Sequence, residues 1–241
     1  MNSREFTPFA ESDPAVKPLL QRLTQPATEV PSQAYQATMR ELGRHLSRSL
    51  MGQHGASLQG KDVCVICTVE DADFLAAGVL DGLIANGLEA SRLFLQCYWN
   101  DRVREDGISI TPVIRQYVEP VESEKVAYVV VKSIISSGCV VRTNLTRALT
   151  EAKADSVYVL SPVMVAGAQE RLGHEFPADL ADKFSYIWFA TDPEQVGEVV
   201  SPGVGGLVYD RLGFDGEAGK NRHTPDIVRQ RRRSHFPSCA A

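Results

Sequence analysis

Apolar residues along the chain follow two patterns. After Pro31-Ser32, Tyr35, Met39, Leu42, Leu46 and Leu50 recur at helical spacing, which predicts a helix with one apolar face. The run KDVCVICTV (61–69) is instead almost continuously apolar, as in a strand buried on both faces. DADFLAAGVLDGLIANG predicts a helix that stops at Asn86-Gly87. SRLFLQCYW and KVAYVVVKS predict a second and third strand, VVRTNLTRALTEAKA a third helix, and DSVYVLSPVM and YIWFATD a fourth and fifth strand. Strands alternating with helices predict an α/β domain, a mainly parallel sheet flanked by helices. Ligands of such sheets bind at the carboxyl ends of the strands. NDRVREDGIS, after the second strand, reads as a polar charged loop. Residues 1–30, rich in proline and polar groups, read as an extended arm, 31–218 as the domain, and 219–241 as a basic, flexible tail.

The composition supports a globular core: of 241 residues, 44% are hydrophobic and 23% charged. No apolar run reaches the length of a membrane span, and the N-terminus has no apolar signal region. The five cysteines, Cys64, Cys67, Cys97, Cys139 and Cys239, are odd in number, and three lie in apolar runs. They read as reduced thiols, and the expected location is the cytoplasm. A net charge of −5 argues against a general nucleic-acid partner, with Arg229-Gln230-Arg231-Arg232-Arg233 as a local exception. Cys64-x-x-Cys67 has the spacing of half a metal site, but it lies within a strand and lacks a second pair. Gly216-Glu217-Ala218-Gly219-Lys220 has neither the glycine spacing nor the preceding strand of a nucleotide loop.

Candidate chemistry concentrates after the third strand. Ser136-Ser137-Gly138-Cys139 joins that strand to a helix. A turn of small residues at a helix start exposes backbone N–H groups, and the helix dipole adds positive charge, which suits a phosphate. A plain glycine turn would read the same way.

The wider stretch Val129-Val130-Val131, Lys132-Ser133, Ile134-Ile135 and Ser136 to Cys139 resembles the phosphoribosyl-diphosphate loop of type I phosphoribosyltransferases. VVSPGVGGLVYDRLGF (199–214) resembles the hood loop of the uracil phosphoribosyltransferases through Pro202, Gly203, Gly205, Asp210 and Arg211, with one residue inserted before Asp210. VLSPVMVAGAQERL, Ala190-Thr191-Asp192, VLDGL (79–83) and the stretch from Val16 to Leu46 resemble other segments of that family in the same order. The resemblance spans residues 16 to 215 and implies a type I phosphoribosyltransferase fold with a C-terminal hood and an N-terminal arm. It implies a homodimer that transfers ribose 5-phosphate between phosphoribosyl diphosphate, or a related sugar phosphate, and a pyrimidine-like base, in pyrimidine salvage. It also implies a Mg2+ cofactor. On this resemblance Ser136, Ser137, Gly138 and Cys139 hold the 5-phosphate. The backbone of Val200, Ser201, Gly203, Gly205 and Gly206 reads the base, and Asp101 and Arg102 in the flap after the second strand are the catalytic candidates, with Arg104 beside them.

The chain departs from the family where charge matters most. The family's acidic pair is Lys132-Ser133 here, and an ammonium accepts no hydrogen bond. Losing two charge-assisted hydrogen bonds costs about 3–6 kcal/mol. Either Lys132 meets a phosphate and partly replaces the metal, or it is a solvated strand-end charge in a dead site. The family's arginine-alanine-glycine turn after the first strand is Thr68 to Asp73 here, with three carboxylates at Glu70, Asp71 and Asp73. These could hold magnesium from the far side of the pocket, or simply form an acidic helix start. Gly206 stands where the family carries an acid. Lys132, Ser133, Glu70 and Asp71 are thus the candidates for the sugar and diphosphate. The competing functions are an active transferase, a non-catalytic nucleotide sensor or regulatory subunit, and an RNA-associated regulator using the basic tail.

Overall fold

The structure, a computed structural model, describes residues 4–101, 103–105, 108–196 and 199–235, with the backbone alone for 104, 105, 108, 109, 194–196 and 235. The five predicted strands and two unpredicted edge strands pair into one sheet in the order Glu5–Phe6, Phe184–Asp192, Lys153–Val165, Lys125–Val131, Val63–Thr68, Leu93–Asn100, Val113–Val118, and the short strand Ile134–Ile135 also pairs with Lys153–Val165. Glu5–Phe6 and Val113–Val118, the two edges, run antiparallel, and all other pairings are parallel. The fold is therefore mixed α/β with a mostly parallel sheet, as expected.

Alternation along the strands divides the core in two. Val63, Val65, Cys67, Val129 and Val131 join one cluster with the helices Ser32–Leu58 and Ala77–Ala85. Cys64, Ile66, Tyr128 and Val130 join the other, with the helices Cys139–Ala148 and Ala168–His174. Cys64 and Cys67 therefore point to opposite faces, so this pair does not converge on one ion. The two long helices pack closely because both carry glycine: a Cβ on Gly78 would lie 1.9 Å from the Arg40 carbonyl oxygen.

Strand order reverses between Val63–Thr68 and Lys125–Val131, since the chain builds outward from Val63–Thr68 first to one side and then to the other. At such a reversal the loops leaving the two strands diverge and open a crevice. Those loops are Thr68-Val69-Glu70-Asp71 and Lys132-Ser133.

Three expectations are corrected. The N-terminal segment is not extended: its helices Pro8–Ser12 and Val16–Thr24 bury Ala10, Val16, Leu20 and Leu23, an apolar face hidden among prolines in the sequence. The polar loop after the second strand contains a two-stranded hairpin, Val103–Glu105 with Ile108–Ile110, followed by the edge strand Val113–Val118. Beyond residue 215 the chain forms the helices Gly216–Arg222 and Asp226–His235, and Arg231 pairs with the buried Glu119 at 2.7 Å.

Candidate functional site

A cavity of about 350 Å3 opens at the reversal point. One wall is the turn Ser136, Ser137, Gly138 and Cys139, and all four line the cavity. Gly138 adopts φ +77° just before the helix Cys139–Ala148, where an L side chain would be strained and a Cβ would lie 3.1 Å from Leu172 Cδ1. The turn is fixed from both sides. Arg171 donates to the Ser136 carbonyl at 3.1 Å, and the buried Asn144, on the helix, exchanges two hydrogen bonds with Asn100 at 2.9 and 3.1 Å. Asn100 ends the strand Leu93–Asn100, so this pair ties the helix Cys139–Ala148 to the sheet.

More of the lining comes from the segment expected to form the hood, where the strands Glu194–Val196 and Val199–Ser201 pair antiparallel ahead of the short helix Val208–Arg211. Val199, Val200, Gly206, Leu207, Val208 and Tyr209 line the cavity. Of the expected base-reading residues, Val200 and Gly206 are thus at the cavity, whereas Ser201, Gly203 and Gly205 are not among its lining. Backbone groups of the two glycines serve instead to anchor the loop. Gly203 N donates to the Asp192 carboxylate at 2.7 Å, and Arg211 donates to the Gly205 carbonyl at 2.9 Å. Tyr35 O–H donates to the Val204 carbonyl at 2.8 Å, and Arg4 clamps Asp192 through two hydrogen bonds of 2.7 and 2.8 Å while also reaching the Gly203 carbonyl.

The floor is charged. Lys132 lies between the two carboxylates, donating to Asp71 Oδ2 at 2.8 Å, to Glu70 Oε1 at 3.1 Å and to Ser133 Oγ at 3.1 Å. Its side chain is 12% exposed, that of Glu70 12% and that of Asp71 0%. This overturns the reading of Lys132 as a solvated strand-end charge: the helix beginning Val69–Asp71 brings its acids back over the end of the neighbouring strand. Asp71 Oδ2 also accepts from Thr68 Oγ1 at 2.9 Å and Ser133 N at 3.3 Å, while its Oδ1 has no hydrogen-bond partner among the described residues. Burial alone would lower the Lys132 ammonium, but Asp71 and Glu70 outweigh it and hold it well above its usual range. Burial raises Asp71, only partly opposed by Lys132. For Glu70 the same desolvation is outweighed by the charges of Lys132 and Lys220, which keep it below the usual carboxylate range. Glu70 and Lys132 line the cavity, whereas Asp71 and Ser133 are buried beneath.

Asp73 turns away from this cluster. It accepts from Asp226 N and Ile227 N at 3.0 and 2.9 Å, capping the helix Asp226–His235, and lies 3.3 Å from His223 Nε2. The three carboxylates expected together therefore separate. The donor set does not fit magnesium: Glu70 and Asp71 are both engaged by an ammonium, and among the described residues no group of three or more His, Cys, Asp or Glu is placed to hold a metal ion. Asp101 lines the cavity and accepts from Asn221 at 3.2 Å, whereas Arg102 and the Arg104 side chain lie outside the described residues.

Sequence reasoning missed Lys220. It is only 5% exposed, lines the cavity, and donates to the Asn100 carbonyl at 2.8 Å and Glu217 at 3.3 Å. The GEAGK run that carries it resembled a nucleotide loop only superficially, and no spacing rule links it to Glu70, some 150 positions earlier.

No protein-family model matches the chain, and no curated protein matches it either. Among solved structures, the AQ2163 protein from Aquifex aeolicus aligns with a TM-score of 0.61 at 14% identity, covering 83% of this chain and 94% of that one. A hypoxanthine phosphoribosyltransferase from Staphylococcus aureus gives 0.41 at 13% identity, with 65% and 76% covered. An APRTase from Giardia lamblia complexed with 9-deazaadenine gives 0.39 at 7% identity, with 61% and 78% covered. The first likeness shows a shared fold, and the other two are partial overlaps at low score.

Proposed function

We propose that this chain is a uracil phosphoribosyltransferase-like protein whose cavity holds the ribose 5-phosphate of a pyrimidine-like nucleotide. The observation that carries this reading is that the Ser136–Cys139 turn and residues of the 199–209 segment line one cavity together with Glu70 and Lys132 from the strand-order reversal. The turn supplies uncharged N–H and hydroxyl donors together with a helix start, which suits one phosphate. The hood supplies backbone groups at Val200 and Gly206 and apolar contacts for a planar base. Transfer of ribose 5-phosphate between base and diphosphate would need no covalent nucleophile, only an in-line arrangement and stabilisation of the departing charge. Lys132 favours a second reading. Its ammonium donates to Asp71, Glu70 and Ser133, so the place of the family's acidic pair is already saturated, and the chain would bind the nucleotide without turning it over.

Calorimetric titration with UMP, followed by incubation with uracil and phosphoribosyl diphosphate and chromatography of the products, tests both. UMP is expected to bind, and failure of UMP to bind would overturn the proposal. Formation of UMP selects the transferase, and binding without formation selects the sensor.

A further inference from the structure

The family resemblance ends at residue 215, but the cavity wall continues past it. The helix Gly216–Arg222 crosses the end of the strand Leu93–Asn100, and two successive residues of each segment meet there. Lys220 donates to the Asn100 carbonyl at 2.8 Å, and the next residue, Asn221, donates to Asp101 Oδ1 at 3.2 Å. The crossing puts an ammonium, Lys220, and a carboxylate, Asp101, beside each other on the lining. Each keeps capacity for a ligand. Lys220 spends one of its three N–H groups on Asn100 and one on Glu217 at 3.3 Å. The Asp101 carboxylate has further lone pairs beyond the one that meets Asn221. By contrast, Lys132 commits all three donors to Glu70, Asp71 and Ser133. The Lys220 ammonium also lies 5.8 Å from the centre of the Tyr209 ring, which places the pair on the side of the cavity lined by residues 199–209.

The charges of the whole lining narrow the ligand chemistry. With Asp71 counted beneath the floor, Glu70, Asp71, Asp101 and Glu217 stand against Lys132 and Lys220, four carboxylates to two ammoniums. That excess disfavours a further anionic group on the ligand and suits a neutral one. A neutral group that answers a donor beside an acceptor is an imide edge, a carbonyl oxygen next to a ring N–H. An amino-pyrimidine presents the reverse, an N–H donor where Lys220 requires an acceptor. We propose that Lys220 donates to the base carbonyl, that Asp101 accepts from the adjacent ring N–H, and that this pair sets a preference for keto over amino pyrimidines. The proposal rests on the nucleotide reading above. It departs from the resemblance, which gives the base edge to the hood backbone and Asp101 to catalysis.

The test is calorimetric titration of the full chain with UMP, CMP, 3-methyl-UMP and ribose 5-phosphate. One hydrogen bond to a charged group corresponds to roughly ten- to hundredfold in affinity, so UMP is expected to bind about tenfold or more tightly than CMP and 3-methyl-UMP. Lys220→Met should bring UMP to within a few-fold of CMP while affinity for ribose 5-phosphate holds. Asp101→Asn, whose amide donates as well as accepts, should narrow the gap from both sides, and it decides the matter if the Lys220 variant does not fold. A UMP preference undiminished by these substitutions would overturn the proposal and return the base edge to the hood backbone. Equal affinity of the parent for the three nucleotides would overturn it too. So would loss of ribose 5-phosphate in step with UMP, because the two residues would then merely support the wall. Silence of the parent toward UMP and ribose 5-phosphate alike would overturn the pocket itself and this inference with it.

Discussion

Lys132 shows how a single residue redefines its surroundings. A lysine at the end of Lys125–Val131 would remain a surface charge had the chain not folded Glu70 and Asp71 over it. Removing it strands two like charges in a dry place. Lys132→Met should therefore cost on the order of 3–5 kcal/mol in denaturant-melted stability, well above an exposed pair. The pH dependence should change as well. Without the ammonium, burial and mutual repulsion raise the carboxylates above their unfolded values. The folded state then binds protons preferentially, and the variant should gain stability as pH falls from 7 toward 5. In the parent protein the ammonium is raised, so its contribution is present throughout neutral pH and is lost only as strongly alkaline pH passes through its folded value. A Lys132→Met protein equally stable at pH 5 and pH 7 would contradict this account. Lys132 stood out in the sequence because it ends a continuous apolar strand just before a hydrophobic pair and a turn of small residues. Its partners were only half legible: Glu70 and Asp71 were candidates, but nothing local separated them from Asp73, two residues on, which faces a different helix.

Among the elements, the hood depends on contacts from distant segments. Its central backbone groups at Gly203, Val204 and Gly205 are held by Asp192, Tyr35 and Arg211, so the cavity-lining residues on either side are placed by groups outside the lining. Tyr35 is fully buried in the helix Ser32–Leu58, with its ring beside the Arg211 guanidinium at 4.8 Å. Tyr35→Phe keeps the packing and removes the donor to the Val204 carbonyl. Leaving that buried acceptor without a partner should cost about 1–3 kcal/mol. If the hood reads the base, UMP affinity should fall while binding of inorganic phosphate at the Ser136–Cys139 turn holds. Parallel loss of both ligands would mean that the variant loosens the whole cavity. The resemblance singled out residues 199–214 because their glycines and proline are local signals. It could not show which backbone groups face inward, since that follows from anchors lying far away in the chain.

At the scale of the whole molecule, the sheet and main helices were legible because continuous apolar strands and striped helices answer to burial on both faces. The terminal segments were not, because their apolar positions are few and are diluted by prolines at one end and arginines at the other. Both are fastened by ion pairs as well as by buried apolar residues. Asp13 holds His45 at 2.6 Å, and Asp73 caps the helix Asp226–His235 while meeting His223. Burial would raise both carboxylates. Backbone donors and the histidines more than offset it and hold each below its ordinary value, from Ala15 N and His45 at Asp13 and from His223, Ile227 N and Asp226 N at Asp73. A depressed acid stabilises the fold above its unfolded value of about 4 and loses that contribution as pH falls through the folded value. Thermal melting should accordingly show stability nearly level near neutrality and falling below about pH 4. Asp73→Asn tests the assignment, because it retains one acceptor for the helix N-terminus but no charge. It should be less stable than the parent at pH 7, by about 1 kcal/mol, and should lose less on acidification. If the variant's acid limb runs parallel to the parent's, the charge on Asp73 is not what fastens the C-terminal helix, and burial of Val228 against the core would have to be holding it instead.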